Sequence, residues 1–198
     1  MRKTGILGGT FNPIHLAHLR MAEQAYKQFA LDEMWLIPAK LPPHKRDQVF
    51  SDEHRLNMLR LAISEHPELS LHLYEFLKDG VSYTVETLKA LHERYPDTEF
   101  YYLMGEDSLR DFHTWYHPEE ISRLATIIVA PRSEDSDAFL TLLTRRRKEY
   151  GNAFPVLSMP QIPISSTGIR NGMKDGDSML SSVPEKVYEY MKEHQLYC

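Results

Sequence analysis

The chain has 198 residues, of which 42% are hydrophobic and 26% are charged, as in one globular domain with a substantial core. A formal net charge of -5 argues against a broad nucleic-acid-binding surface, and no apolar run approaches the roughly 20 residues of a membrane span. The single cysteine, Cys198, excludes an intrachain disulfide framework. We therefore expect one cytoplasmic domain over residues 1–198, with a C-terminal helical part over residues 164–198 packed on it.

The first predicted elements are a strand, a tight turn and a helix. Residues 4–7 are apolar and β-prone, residues 8–9 are both glycine, and residues 19–29 carry apolar side chains at helical spacing. The glycines let the backbone approach a ligand closely. His15 and His18 are three residues apart, so we expect them on one face of the first helical turn, where unpaired N–H groups favour a phosphate. We call residues 8–18 the histidine turn.

The histidine pair has three interpretations. It could bind a metal, it could be structural, or it could stabilise charge during phosphoryl or nucleotidyl transfer. The cysteine lies at the other end of the sequence, and no further tight cluster of histidine and aspartate completes a zinc site. We therefore favour anion chemistry and expect no metal ligands from the protein.

A second strand is predicted over residues 33–37, and it ends at Pro38. The segment that follows, residues 39–50, contains His44, Lys45 and Arg46. Composition alone gives equal weight to a solvated connection and to a mobile loop that brings these side chains over a polyphosphate.

The remaining elements alternate between strands and helices. The predicted strands cover residues 69–73, 99–104, 126–130 and 154–157. The predicted helices begin after Ser51, at Tyr83-Thr84, at Pro118, within residues 133–150, at Gly168, and after a capping box at residues 182–185. This alternation predicts a doubly wound α/β fold with a mainly parallel sheet.

Several polar and aromatic residues follow the predicted strand ends, where ligands bind in such a sheet. Asp107, just after Gly105, either caps a short helix or accepts hydrogen bonds from a ligand. Trp115 lies in an aromatic loop and is either ordinary core or a platform for a flat ring. Arg132 follows the strand over residues 126–130 and is a candidate phosphate contact.

A hydroxyl-rich stretch precedes one of the later helices. Residues 165–170, which we call the hydroxyl segment, combine Ser165, Ser166 and Thr167 with Arg170. Serine and threonine often do no more than cap a helix. Together with the N–H groups of a helix N-terminus and a guanidinium, the same residues make an anion site.

The histidine turn and the hydroxyl segment together carry a family resemblance. Residues 9–18 fit G-x-x-x-P-x-[HT]-x-x-H and residues 165–170 fit S-x-T-x-x-R, far apart and in the expected order. These motifs resemble those of the nucleotidylyltransferase superfamily. The chain from beginning to end resembles the bacterial nicotinate-nucleotide adenylyltransferases. Ala17 is a departure, because many relatives have glycine there, and its methyl group is expected to crowd the phosphates slightly.

The resemblance implies a Rossmann-like nucleotidylyltransferase fold and transfer of AMP from ATP to nicotinate mononucleotide, with Mg²⁺ bound mainly through the ATP phosphates. His18 is the implied main catalytic residue, supported by His15 and Arg170. The implied ATP-binding residues are Gly8, Gly9, Thr10, Phe11, His15, His18, Gly105, Asp107, Ser165, Ser166, Thr167 and Arg170. The implied residues for nicotinate mononucleotide are Tyr83, Thr84, Trp115, Asp107, His44, Lys45 and Arg132.

Other functions stay open at this point. Phosphopantetheine adenylyltransferases and alcohol-phosphate cytidylyltransferases share both motifs, although the Trp115 loop and the Tyr83-Thr84 turn favour a pyridine ring. A nucleotide-binding sensor without activity fits less well, because both histidines and Arg170 are present. We expect neither nucleic acid nor a membrane as a partner, and a homodimer is compatible with the resemblance.

Overall fold

The computed structural model describes residues 1–40, 51–78, 80–131 and 136–197, so His44, Lys45 and Arg132 lie outside the described residues. Within these ranges the strands are β1 (Arg2–Gly9), β2 (Glu33–Pro38), β3 (Leu69–Leu71), β4 (Thr98–Gly105) and β5 (Thr126–Ala130). The helices there are α1 (Leu16–Gln28), α2 (Asp52–Ile63), α3 (Tyr74–Leu77), α4 (Thr84–Arg94), α5 (Glu106–Asp111), α6 (Pro118–Leu124), α7 (Asp137–Tyr150), α8 (Ser166–Lys174) and α9 (Glu185–Glu193), with a 3₁₀ turn at Phe112–Thr114.

The five strands of the described residues form one sheet in the order β3-β2-β1-β4-β5. Every neighbouring pair in it is parallel. The chain runs outward from β1 through β2 to β3 and then returns to the other side of β1 for β4 and β5. The strand order therefore reverses between β1 and β4, which is where ligands bind in open parallel sheets. The predicted doubly wound, parallel α/β fold is confirmed.

Helices cover both faces of the sheet and form a hydrophobic core on each face. Because successive residues of a strand point to opposite faces, neighbouring residues of β1 belong to different cores. On β1, Leu7 belongs to a core shared with α1, α2, α8 and α9. Its neighbour Ile6 belongs to a second core shared with α4, α5, α6 and α7. None of the helices in the described part of the chain has the length and apolarity of a membrane-spanning segment.

Two local predictions are wrong. The strand expected over residues 154–157 is only an isolated bridge between Val129 and Val156. Pro155 has no N–H to donate to a ladder, and Phe154 has a left-handed backbone with φ of 42°. The capping box expected at residues 182–185 is also absent, because Pro184 precedes the first residue of α9 and no side chain caps that helix.

Other helix starts follow their sequence signals. The hydroxyl of Ser51 accepts a hydrogen bond from the His54 N–H and caps α2, and Pro118 occupies the first turn of α6. The helix expected from Gly168 begins two residues earlier, because Ser165 caps α8 by accepting from the Gly168 N–H at 3.1 Å. The hydroxyl segment thus spans the cap and first turn of α8.

Candidate active site

Two adjoining clefts lie at the carboxyl edge of the sheet, beside the point where the strand order reverses. The first cleft has a volume of about 760 Å³ and the second about 840 Å³. Both are lined by a shared wall that consists of Gly8, Tyr102, Asp107, Ser108 and Trp115. The two clefts have room for one ligand each, and both ligands would contact these five residues.

The shared wall brings β1 and β4 close together at Gly8. A Cβ atom on Gly8 would lie 2.6 Å from the hydroxyl oxygen of Tyr102, which is too close for any other residue to fit without movement. Burial raises the pKa of Tyr102 to about 12, while a hydrogen bond with the Thr84 side chain opposes the shift. Tyr102 is therefore a neutral phenol near neutral pH.

The first cleft collects residues from both sequence motifs. The predicted site residues that line it are Gly8, His15, His18, Gly105, Asp107, Trp115, Ser165, Ser166 and Thr167. Ala17, the departure from the glycine of many relatives, lines the same cleft. The strand end of β1, the start of α1, the end of β4 and the start of α8 therefore surround one space.

His15 and His18 are in direct contact at the start of α1. His15 precedes the first helical residue, and His18 is the third residue of the helix. Their rings are stacked with centroids 3.6 Å apart and an interplanar angle of 19°. The His15 main-chain N–H donates to Nδ1 of His18 at 3.3 Å. Because Nδ1 accepts this bond, the proton of a neutral His18 ring is assigned to Nε2.

His15 is almost fully buried, with 5% of its surface exposed. Burial lowers its pKa to about 4, so the imidazole is neutral near neutral pH. Its Nδ1 atom has no hydrogen-bond partner among the described residues. The Nδ1 atom is itself buried, whereas His15 as a residue lines the first cleft, so the ring stands beside this space as a neutral imidazole.

The hydroxyl segment is hydrogen-bonded to the histidine turn. The hydroxyl of Ser166 donates to the Pro13 carbonyl oxygen at 3.0 Å. Nη1 of Arg170 donates to the Asn12 carbonyl oxygen at 2.9 Å, and Nη2 donates to Thr167 Oγ1 at 3.1 Å. Hydrogen bonds thus join the histidine turn directly to the hydroxyl segment, although the two are far apart in the sequence.

Two predicted ATP-binding residues are absent from the described linings of both clefts. Phe11 is buried and packs edge-on against the His18 ring, with centroids 5.1 Å apart. Arg170 is engaged with Asn12 and Thr167. Their roles toward ATP stay predictions, and both side chains already shape the turn that lines the first cleft.

The second cleft collects the residues predicted for the other substrate. Tyr83, Thr84 and Trp115 line it, together with Gly9 and Thr10 of the histidine turn. Tyr83 precedes the first residue of α4 and Thr84 opens the helix, so the first N–H groups of α4 lack intrahelical partners.

Trp115 combines both interpretations that the sequence allowed. Its ring contacts Phe112 and Tyr102 at centroid distances of 5.5 and 6.1 Å. It also lines both clefts. The side chain is partly buried, so it packs against the core and also presents surface to a flat ligand ring.

Sequence reasoning missed Glu75, a buried acid in the second cleft. One carboxylate oxygen accepts from the hydroxyl of Thr87 at 2.8 Å. Burial raises the pKa of Glu75, while hydrogen bonds with Thr87 and Ser82 lower it. Because Ser82 and Thr87 flank the Tyr83-Thr84 turn, Glu75 ties together both sides of that turn. Its sequence context, a four-residue helix, offers no periodic signal.

Sequence reasoning also missed Arg55, whose side chain is fully buried in α2. Nη1 donates to the carbonyl oxygens of Thr10 at 2.8 Å and Ala39 at 2.7 Å, and Nη2 donates to Asp52 at 2.6 Å. Thr10 follows β1 and Ala39 follows β2. Arg55 therefore joins the ends of two neighbouring strands beneath the second cleft.

Side chains that could hold a metal come together outside the clefts in the described part of the chain. Among the described residues, the group of ligand-type side chains that could hold a metal is Glu23, His66 and Glu68. His66 Nδ1 lies 3.1 Å from Glu23 and 3.6 Å from Glu68, and none of the three lines a cleft. On the shared wall, Asp107 and Ser108 offer oxygen atoms, the ligand type that Mg²⁺ prefers.

Similarities in sequence extend over the whole chain. The cytidylyltransferase-like family model matches residues 6–172. A probable nicotinate-nucleotide adenylyltransferase from Lachnoclostridium phytofermentans is 40% identical over 199 aligned positions, which cover 100% of each chain. Another from Synechococcus sp. is 43% identical over 197 positions, covering 99% of this chain and 95% of the relative.

Similarities in structure agree with this result. Two structures of the nicotinic acid mononucleotide adenylyltransferase of Plasmodium falciparum, one complexed with APC and one with NaAD, match with TM-scores of 0.79 and 0.80. In each case the match covers 100% of this chain and 98% of the other, at 20% identity. At this identity the likeness establishes the shared fold.

Proposed function

Because this chain belongs to the nicotinate-nucleotide adenylyltransferase family, within the cytidylyltransferase-like proteins, we propose that it transfers AMP from ATP to nicotinate mononucleotide. The products are deamido-NAD and pyrophosphate. The observation that carries the proposal is the pair of clefts with one shared wall. Because the same residues line both clefts, a substrate in one cleft would lie next to a substrate in the other, as a direct transfer needs.

The proposed reaction is an in-line displacement at the α-phosphorus of ATP. An oxygen of the nicotinate mononucleotide phosphate forms the new P–O bond, and the bond from the α-phosphorus to the bridging oxygen breaks. The nucleophile is already ionised near neutral pH, so no proton has to be removed from it. Catalysis is then a matter of positioning and of stabilising charge on the α-phosphoryl group and the departing pyrophosphate.

His18 is the proposed main source of that stabilisation. Its Nδ1 atom is occupied by the His15 main-chain N–H, so its ring donor is Nε2. The side chain lines the first cleft at the start of α1, where the helix dipole also favours negative charge. His15 is neutral because burial lowers its pKa to about 4, and it would act as a hydrogen-bond partner for a ligand rather than as a cation.

The first cleft is the proposed ATP site. Ser165, Ser166 and Thr167 line it with hydroxyl groups at the start of α8, which suits phosphate oxygens. Arg170 would add positive charge behind them. Mg²⁺ would be held mainly by the triphosphate, with Asp107 as the acidic residue of the shared wall, and when bound it would neutralise phosphate charge.

The second cleft is the proposed site for nicotinate mononucleotide. Trp115 would stack on the pyridine ring, and the first N–H groups of α4, beside Tyr83 and Thr84, would receive its carboxylate. Selectivity for the acid over the amide would arise there, because a carboxylate accepts from N–H groups and an amide nitrogen does not. Roles for His44, Lys45 and Arg132 stay predictions from the sequence.

Product analysis with Mg²⁺ and equal amounts of nicotinate and nicotinamide mononucleotides tests the proposal. With ATP, we expect far more deamido-NAD than NAD, and pyrophosphate in an amount equal to the two dinucleotides together. Parallel reactions replace the acceptor with phosphopantetheine, or replace both substrates with CTP and an alcohol phosphate. Turnover only in a parallel reaction, or ATP binding without turnover of any acceptor, would overturn the proposed function.

A further inference from the structure

Asn12, in the turn between β1 and α1, is held from two sides by the C-terminal part of the chain. Nη1 of Arg170 donates to its carbonyl oxygen at 2.9 Å. The hydroxyl of Tyr197 donates to its side-chain Oδ1 at 2.7 Å, in a buried contact. One partner therefore fixes the main chain of Asn12, and the other fixes its side chain.

Further contacts from the same part of the chain secure the following residues. Ser166 donates to the Pro13 carbonyl oxygen at 3.0 Å, and the Leu16 N–H donates to the Ser182 carbonyl oxygen at 3.0 Å. These contacts fix the turn just before and at the first residue of α1. Residues 166–197 therefore contact the chain on both sides of His15, at residues 12–13 and at Leu16.

Tyr197 is itself held in an unusual conformation. Its backbone is left-handed, with φ of 66°, a region that persists for a residue with a side chain only where its surroundings enforce it. The Leu196 N–H donates to the Met191 carbonyl oxygen at 2.8 Å, and both Leu196 and Tyr197 are buried. Burial raises the pKa of the Tyr197 phenol, so it stays a protonated donor.

We propose that Tyr197 is a positioning residue for the histidine turn and acts through its hydrogen bond to Asn12. Tyr197 is not among the described lining residues of either cleft, so it would influence the reaction without touching a substrate. Removing its hydroxyl would leave Asn12 Oδ1 without this buried donor and loosen the turn from which His15 and His18 project. The kinetic consequence rests on the proposed function, whereas the mobility of the turn does not.

The test compares Tyr197→Phe with Tyr190→Phe. Tyr190 is a matched control because its hydroxyl bonds to His54 at 2.9 Å and Asn57 at 3.0 Å, and neither residue belongs to the histidine turn. For Tyr197→Phe we expect kcat to fall about tenfold, with KM for nicotinate mononucleotide within about twofold of wild type. Tyr190→Phe should keep wild-type kcat although it loses both hydrogen bonds of its hydroxyl, to His54 and to Asn57.

Hydrogen exchange on the ligand-free protein provides a second readout that needs no activity. Amides of residues 10–18 should exchange faster in Tyr197→Phe than in wild type, and at the wild-type rate in Tyr190→Phe. Unchanged exchange and unchanged kcat in Tyr197→Phe would overturn the inference. A wild-type protein that makes no deamido-NAD would count against the proposed function alone, because the exchange result would still stand.

A double variant tests whether the effect passes through Asn12. If Tyr197 acts by way of Asn12, Tyr197→Phe should cause little further loss in an Asn12→Ala background. Losses in kcat that multiply in the double variant would mean that Tyr197 acts by another route, and they would overturn the proposed mechanism of positioning.

Discussion

The imidazole rings of His15 and His18 are stacked with their centroids 3.6 Å apart, yet the two histidines differ in their surroundings. His15 is buried and precedes α1, whereas His18 is half-buried within the helix. The stacked arrangement makes two charged rings unfavourable, and burial keeps His15 neutral by lowering its pKa to about 4. The two histidines therefore have different roles. His15 orients the His18 ring through its main-chain N–H, and His18 is the residue proposed to stabilise charge.

Replacing His18 should test its role in charge stabilisation. For His18→Ala we expect kcat to fall by about 10² or more, since a donor aimed at developing charge contributes that much. Steady-state kinetics with both substrates measure the effect. His66→Ala is the control, because His66 pairs with Glu23 away from the clefts. Near-normal turnover in His18→Ala would contradict the mechanism.

The neutral state of His15 should appear in the pH dependence of stability. The pKa of His15 is about 4 in the folded protein and about 6.5 when unfolded. Between these values the unfolded chain binds a proton that the folded protein does not, so stability falls as pH falls through this window. Between about pH 7.5 and 4.5 this group should remove about 2 kcal/mol from the free energy of unfolding.

Urea denaturation of wild type and His15→Asn at both pH values isolates that contribution, because other titrating groups are common to the two proteins. The wild type should lose more stability on acidification than the variant does. Equal losses in the two proteins would mean that the His15 pKa is not lowered in the folded state.

Trp115 should matter more for one substrate than for the other. Although Trp115 lines both clefts, its proposed stacking partner is the pyridine ring, so for Trp115→Ala we expect KM for nicotinate mononucleotide to rise by about tenfold or more. KM for ATP should change by about threefold at most. Trp35→Phe is the control, since Trp35 is buried in the sheet among His72, Tyr95 and Phe100. Equal losses for both substrates would make Trp115 a structural residue only.

Arg55 should be important for stability and for the geometry of the strand ends. In Arg55→Met, the buried carbonyl oxygens of Thr10 and Ala39 lose their charged donor, which we expect to cost about 3 kcal/mol in unfolding free energy. Arg147→Met is the matched control, because Arg147 also donates to two carbonyl oxygens, those of Ala153 and Phe154, but is exposed. Similar small losses in both variants would show that burial of Arg55 adds nothing.

The sequence was most informative where partners are close along the chain. The order of strand, turn and helix around residues 4–18 follows from local apolar periodicity and is confirmed, but two details are wrong. Gly8 and Gly9, expected in the turn, are the last residues of β1 and pair with β2. His15, expected in the first helical turn, precedes the first residue of α1. The contact between the histidine turn and the hydroxyl segment could be inferred only because both segments match motifs of one family. Cytoplasmic location, the homodimer and the roles of individual site residues stay predictions.

Two of the missed residues, Tyr197 and Arg55, have hydrogen-bond partners that lie far away in the sequence. Tyr197 is 185 positions from Asn12, and Arg55 is 45 positions from Thr10. A tyrosine near a helix end and an arginine in an amphipathic helix look ordinary until the fold brings those partners to them. Glu75 was hidden for a related reason, because α3 is too short to produce a periodic pattern.

The common wall of the two clefts, at Gly8, Tyr102, Asp107, Ser108 and Trp115, has a consequence for inhibitor chemistry. On the proposed assignment of the two clefts, a single molecule that joins an adenosine-like group to a pyridine acid through a short linker would occupy both spaces at once. Such a compound loses its translational freedom only once, so its affinity can exceed that of either fragment by several orders of magnitude. Resistance by substitution would be difficult at Gly8, where even one added methyl group meets the Tyr102 hydroxyl.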